Sequence, residues 1–141
     1  MTIIRNLRKH PEKLKEMVPD FPHLYRQTVT DPYCRKQLDQ VVTTLRRNAD
    51  KGVCTLFHCT AGKDRTGIAA MALLKSYGVA DEEIVKDYMR TNKNAFLPTV
   101  KKCVAIALLT RNWSLVKTAY LSFMADKSLI LTALQHYEKA F

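Results

Sequence analysis

Val53-Cys54-Thr55-Leu56-Phe57-His58-Cys59-Thr60-Ala61-Gly62-Lys63-Asp64-Arg65-Thr66-Gly67 carries most of the information in this 141-residue chain. Its first five residues, apolar and β-branched after Lys51-Gly52, have the composition of a buried parallel strand. From Thr66 to Leu74 helix formers dominate, and Gly78 supplies a C-terminal stop. The pattern predicts strand, tight turn, helix. In that geometry the backbone N–H groups from Thr60 to Arg65 converge on one concavity, and the helix N-terminus adds a partial positive charge. An anion fits there.

Cys59 lies at the base of the predicted concavity. Converging amides, a helix N-terminus and a neighbouring guanidinium all favour the thiolate, which is the nucleophilic form of the side chain. Arg65 presents a planar fork able to hold two phosphate oxygens, a task to which Lys is poorly suited. Thr66 places a hydroxyl in reach of the thiolate or its phosphorylated form, while Thr60, Ala61 and Gly62 offer amides to the substrate. His58, on the other face of the turn, holds the loop backbone in shape. Gly62 and Gly67 allow close approach of a ligand and a close contact between helix and strand.

The string His58-Cys59-x5-Arg65-Thr66-Gly67 resembles the signature of the cysteine-dependent protein tyrosine phosphatase superfamily. The full run His-Cys-Thr-Ala-Gly-Lys-Asp-Arg-Thr-Gly is similar to its tyrosine/serine branch, which is related to dual-specificity and phosphoinositide phosphatases. Leu56-Phe57, Gly78-Val79 and Asp87-Tyr88 follow the same branch pattern. The resemblance implies hydrolysis of a phosphomonoester through a phosphocysteine intermediate, with no metal and no organic cofactor. The substrates it implies are phosphotyrosine or dual-specificity protein substrates, or phosphoinositides. A catalytically weak phosphate-binding module, a pseudophosphatase, is the alternative.

The general acid has two candidates. Asp64, inside the loop, stands beside the place where a leaving group departs, and the Gly-Lys-Asp-Arg likeness favours it; a loop-shaping salt bridge with Arg65 or Lys63 is the competing role. Asp31, upstream and followed by Pro32, is the alternative acid, although Asp before Pro is also an ordinary turn and helix-entry signal. Lys63 is expected on the rim, contacting a second phosphate or the acidic flank of a phosphopeptide, or simply solvated.

The formal charge of +10 indicates anionic partners, but the basic residues are scattered and no nucleic-acid motif accompanies them. Steering of a phosphorylated substrate is the economical account. No apolar stretch is long enough to insert stably in a membrane, and the N-terminus lacks the apolar run of a signal peptide. A cytoplasmic protein is expected, with export known among relatives. Cys34, Cys54, Cys59 and Cys103 show no zinc spacing. Across a strand Cys54 and Cys59 would lie roughly 16 Å apart, too far for a disulfide, which needs Cα atoms within about 7 Å.

Around the loop the pattern predicts a short strand at Ile3–Leu7, a helix at Pro11–Val18, and a surface loop over 19–32, where Tyr25 and His23 either border the site or pack. Tyr33–Arg47 reads as an amphipathic helix against the sheet, and Asp81 opens another helix with Ile84, Val85, Tyr88 and Met89 on one face. From Pro98 onward helical segments follow at 100–109, 113–124 and 128–140, with Leu115, Leu121, Leu129, Leu131, Leu134 and Tyr137 as core. Trp113 and Phe123 either cover the site or pack. The expected fold is α/β, a short parallel sheet flanked by helices with a helix-rich C-terminal half, in a single domain over 1–141. The strands that the family carries in its N-terminal part have no counterpart here. The chain is therefore expected to be a fragment, a short relative, or a piece whose sheet is completed by a second chain or a homo-oligomer.

Overall fold

The computed structural model describes residues 19–139 and is built from six helices: α1 (Phe21–Thr30), α2 (Pro32–Asp50), α3 (Asp64–Ser76), α4 (Asp81–Thr110), α5 (Trp113–Phe123) and α6 (Lys127–Lys139). Among the described residues no strand forms. The expected parallel sheet is therefore corrected to a helical fold. Residues 53–58 belong to no helix or strand, because a strand exists only as one member of a hydrogen-bonded pair. No described segment pairs with this one, and Val53 and Leu56 stand 52% and 88% exposed. The strand predicted at Ile3–Leu7 and the helix at Pro11–Val18 lie outside the described residues.

A second correction concerns 19–32, expected as a loop because of its prolines. Pro22 sits in the first turn of α1, where a missing N–H costs nothing, and Tyr25 and Val29, four residues apart, place one buried face on the helix. Asp31 then caps α2, its carboxylate accepting the Cys34 N–H at 2.9 Å, with Pro32 in the first helical turn. That helix buries Leu38, Val42 and Leu45. It packs against α1 and α3 rather than on a sheet.

Two helix stops read correctly from glycine. At the end of α2 the Gly52 N–H bonds Ala49 O and the Val53 N–H bonds Asn48 O, with Gly52 at φ 68°. Gly78 repeats the arrangement after α3, its N–H on Lys75 O and that of Val79 on Leu74 O. Both are left-handed caps that leave few helix-end carbonyls unmade.

Residues 21–90 and 126–139 form one compact unit, and 91–125 another. The core of the first is made by Tyr25 and Val29 of α1, Ile68, Met71 and Ala72 of α3, Ile84 and Tyr88 of α4, and Ile130, Ala133 and Leu134 of α6. The most extensive helix packing is α1 on α6. In the second unit α4 continues through Pro98, so the break expected there does not occur. Asn112 caps α5 by accepting from the Leu115 N–H at 3.2 Å. Within this unit Thr99, Cys103, Thr110 and Leu115 are buried, whereas Leu121 and Trp113, expected as core or cover, are exposed. No described helix is long and apolar enough to cross a membrane.

Candidate active site

α3 begins without a side-chain cap: Lys63 occupies the N-cap position and makes no capping hydrogen bond. The first-turn N–H groups of that helix are left for another acceptor. The preceding loop turns back at Gly62, whose φ of 66° is in the left-handed region that a side chain disfavours. This brings the amides of Ala61 and Gly62, together with that of Thr66, onto the sulfur of Cys59.

Burial by itself would raise the Cys59 thiol. The Thr66 hydroxyl and the amides of Thr66, Ala61 and Gly62 outweigh it and bring the thiol from 9.0 down to about 7. Thr66 Oγ1 is buried without a hydrogen-bond acceptor or donor of ordinary geometry, and a thiolate is the acceptor its hydroxyl lacks. The Cys59 thiol is thus held below its ordinary range, toward the nucleophilic thiolate.

The other loop residues fall as follows. Thr60, Ala61 and Gly62 are exposed, as is His58, whose Nδ1 lies 3.2 Å from the Cys59 carbonyl oxygen and donates to it in the Nδ1-protonated tautomer. Arg65 is exposed in the first turn of α3 and has no ion-pair or hydrogen-bond partner among the described residues, so its guanidinium is available to an anion. Lys63, expected on the rim, is 3% exposed. Its ammonium lies 3.4 Å from Asp64 Oδ1 and 4.9 Å from the centre of the Phe21 ring. Cation–π and ionic contacts together make that burial tolerable for a charge.

Asp64, the first residue of α3, accepts a hydrogen bond at Oδ1 from the Tyr25 hydroxyl at 2.8 Å. Tyr25 lies 2.7 Å from the Tyr88 hydroxyl, and the two rings meet edge to face at 82°. Asp31 caps α2: its bonds to the backbone of Cys34 hold its carboxyl below the ordinary range.

Sequence reasoning missed Phe21, and it left Tyr25 between bordering the site and packing. Phe21 and Tyr25 stood in a stretch whose prolines masked its helical spacing. Tyr88 read as part of the apolar face at 84, 85, 88 and 89 and of the Asp87-Tyr88 likeness, with no role toward Asp64. Gly67 was expected to ease a contact with a strand; instead it clears space for the Tyr88 ring, since a Cβ there would meet Tyr88 Cε2 at 2.7 Å.

Comparison with known proteins places the chain among phosphatases by sequence. The chain is 40% identical over 78 residues to a Cupriavidus necator protein that carries a tyrosine-protein phosphatase name, covering 55% of this chain and 24% of that one. It is 41% identical over 68 residues to the triple specificity protein phosphatase of Mycobacterium tuberculosis, covering 48% and 23%. With a tyrosine-protein phosphatase of Nostoc commune it shares 40% identity over 77 residues, covering 53% and 26%. The matches thus span about a quarter of the length of these relatives. No solved structure matches the chain significantly. The sequence profile of the tyrosine phosphatase family matches residues 2–141, and the chain belongs to that family.

Proposed function

We propose that this chain hydrolyses phosphomonoesters, phosphotyrosine of proteins first, through a phosphocysteine on Cys59. The observation that carries the reading is the acidified thiol, ringed by the Ala61, Gly62 and Thr66 amides in the loop that opens α3. The Cys59 thiolate attacks phosphorus, an S–P bond forms, and the P–O bond to the leaving group breaks. Asp64 gives its proton to the departing oxygen. Water then attacks phosphorus, Asp64 takes the water's proton, and the S–P bond breaks to return thiolate and inorganic phosphate. Arg65 holds equatorial oxygens bidentately, and the loop amides stabilise the charge that builds in both transition states.

A phosphoinositide is the less favoured substrate. Its case rested on Lys63 reaching a second phosphate, and that ammonium is buried between Phe21 and Asp64. The competing reading is a module that binds phosphate and does not turn it over.

Hydrolysis of p-nitrophenyl phosphate by the chain, abolished in Cys59→Ser, is the expected result. An acid-quenched reaction should also leave phosphorus on the peptide that contains Cys59. Phosphate or vanadate binding without turnover by the parent chain would overturn the enzyme reading in favour of the module.

A further inference from the structure

A carboxylate can only accept hydrogen bonds, so the single proton of the Tyr25 hydroxyl is committed to Asp64 Oδ1 and the proton of Tyr88 to the Tyr25 oxygen. The result is a directed chain, Tyr88 to Tyr25 to Asp64, drawn from α4, α1 and α3. Burial, with help from Tyr88 and Asp64, pushes the Tyr25 phenol far above its ordinary range, and burial pushes Tyr88 up to about 12. Both phenols therefore stay protonated, and remain donors, throughout the working range of any such enzyme.

The chain has a consequence for the two oxygens of Asp64. Tyr25 at 2.8 Å and the Lys63 ammonium at 3.4 Å both address Oδ1. Oδ2 has no partner among the described residues, and the side chain is about one-third exposed. One oxygen is thus held from inside the fold while the other faces out. A proton transferred to a leaving group has to sit on the outward oxygen, and after transfer the negative charge is shared with an oxygen already solvated by a phenol and an ammonium.

We propose that Tyr25, itself oriented by Tyr88, is a positioning residue that turns Asp64 so that Oδ2 delivers the proton to the leaving oxygen. This rests on Asp64 being the proton donor of the proposed phosphatase. Gly67 belongs to the same device. A side chain at 67 would strike Tyr88 at 2.7 and 2.8 Å, so the second glycine of the loop makes room for the ring that begins the chain of donors.

The distinguishing property of such a role is dependence on the leaving group. A phenol with a low pKa departs without protonation, whereas one with a high pKa needs the acid. The experiment compares kcat/KM for p-nitrophenyl phosphate and phenyl phosphate in the parent chain, Tyr25→Phe, Tyr88→Phe and Asp64→Asn, with melting temperatures taken alongside. Tyr25→Phe is expected to lose about tenfold on phenyl phosphate and less than about twofold on the nitrophenyl ester. Tyr88→Phe, which leaves Tyr25 free to donate but less well aimed, is expected to lose about threefold on phenyl phosphate alone. In the Asp64→Asn background, Tyr25→Phe should add nothing further.

A loss in Tyr25→Phe that is equal for both esters, or no loss, would overturn the positioning role while leaving the phosphatase standing. Absence of hydrolysis of both esters by the parent chain would instead remove the phosphatase reading and the role with it. Should Tyr25→Phe fail to fold, Tyr88→Phe carries the same comparison, and a uniform loss there overturns the role equally.

Discussion

At the scale of the residue, the thiol of Cys59 is tuned by three backbone amides and one hydroxyl, and the hydroxyl can be removed by itself. Thr66→Ala deletes the largest of the stabilising contacts on the sulfur, so its ionisation should rise from about 7 toward 9.0. The rate of iodoacetamide alkylation at Cys59, followed on the peptide that carries it, should climb with pH through a midpoint near 7 in the parent and through a higher one in the variant. An unchanged midpoint would show that the hydroxyl does not serve the thiolate. Gly67→Ala sets two effects against each other. Alanine improves a helix position by about 1 kcal/mol over glycine, but its methyl at this half-buried position would lie 2.7 Å from a ring atom of the buried Tyr88. Overpacking of this kind costs about 1–3 kcal/mol, so urea unfolding should find the variant less stable. The turn at Gly62 and the start of a helix just after it were legible from residue type. That Lys63 turns inward was not, because Phe21 and Asp64 surround it only once α1 has folded against the loop.

At the scale of the element, helices were readable where a cap or an apolar period marked them and unreadable where prolines intervened. Asn48–Gly52 and Gly78 carry glycine at the left-handed position, which local sequence specifies. α1 was missed because Pro19, Pro22 and Pro32 suggested a loop, although one of them opens α1 and another opens α2. α4 runs through Pro98 despite the lost hydrogen bond, where pattern alone suggested two helices. The strand expected at 53–57 does not form, because pairing is a property of two segments and no period within one of them reports it. The burial of α6 against α1 gives an element-scale test. Ile130 is fully buried, so Ile130→Ala should destabilise the chain by about 2–5 kcal/mol in a denaturant titration. A loss of a few tenths would mean that this face of α6 is not core.

At the scale of the whole molecule, charge and exposure govern behaviour that no single contact explains. The chain carries ten more basic than acidic side chains, and Lys93, Lys101, Lys102, Arg111 and Lys117 fall in a span, 91–125, without one carboxylate side chain. A field of that sign raises the encounter rate with a phosphate dianion and is screened by salt. For an acidic phosphotyrosine peptide kcat/KM should therefore fall as ionic strength rises, while kcat at saturation holds; a rate indifferent to salt would show that the cationic excess does not steer substrate. The run from Val53 to His58, which joins no helix or strand, has a separate consequence. Digestive enzymes thread their targets as straight backbone, and the most open apolar side chain in this run is Leu56. A brief, dilute chymotrypsin treatment should cut first after Leu56 or Phe57, releasing α1 and α2 from the peptide that holds the reactive sulfur.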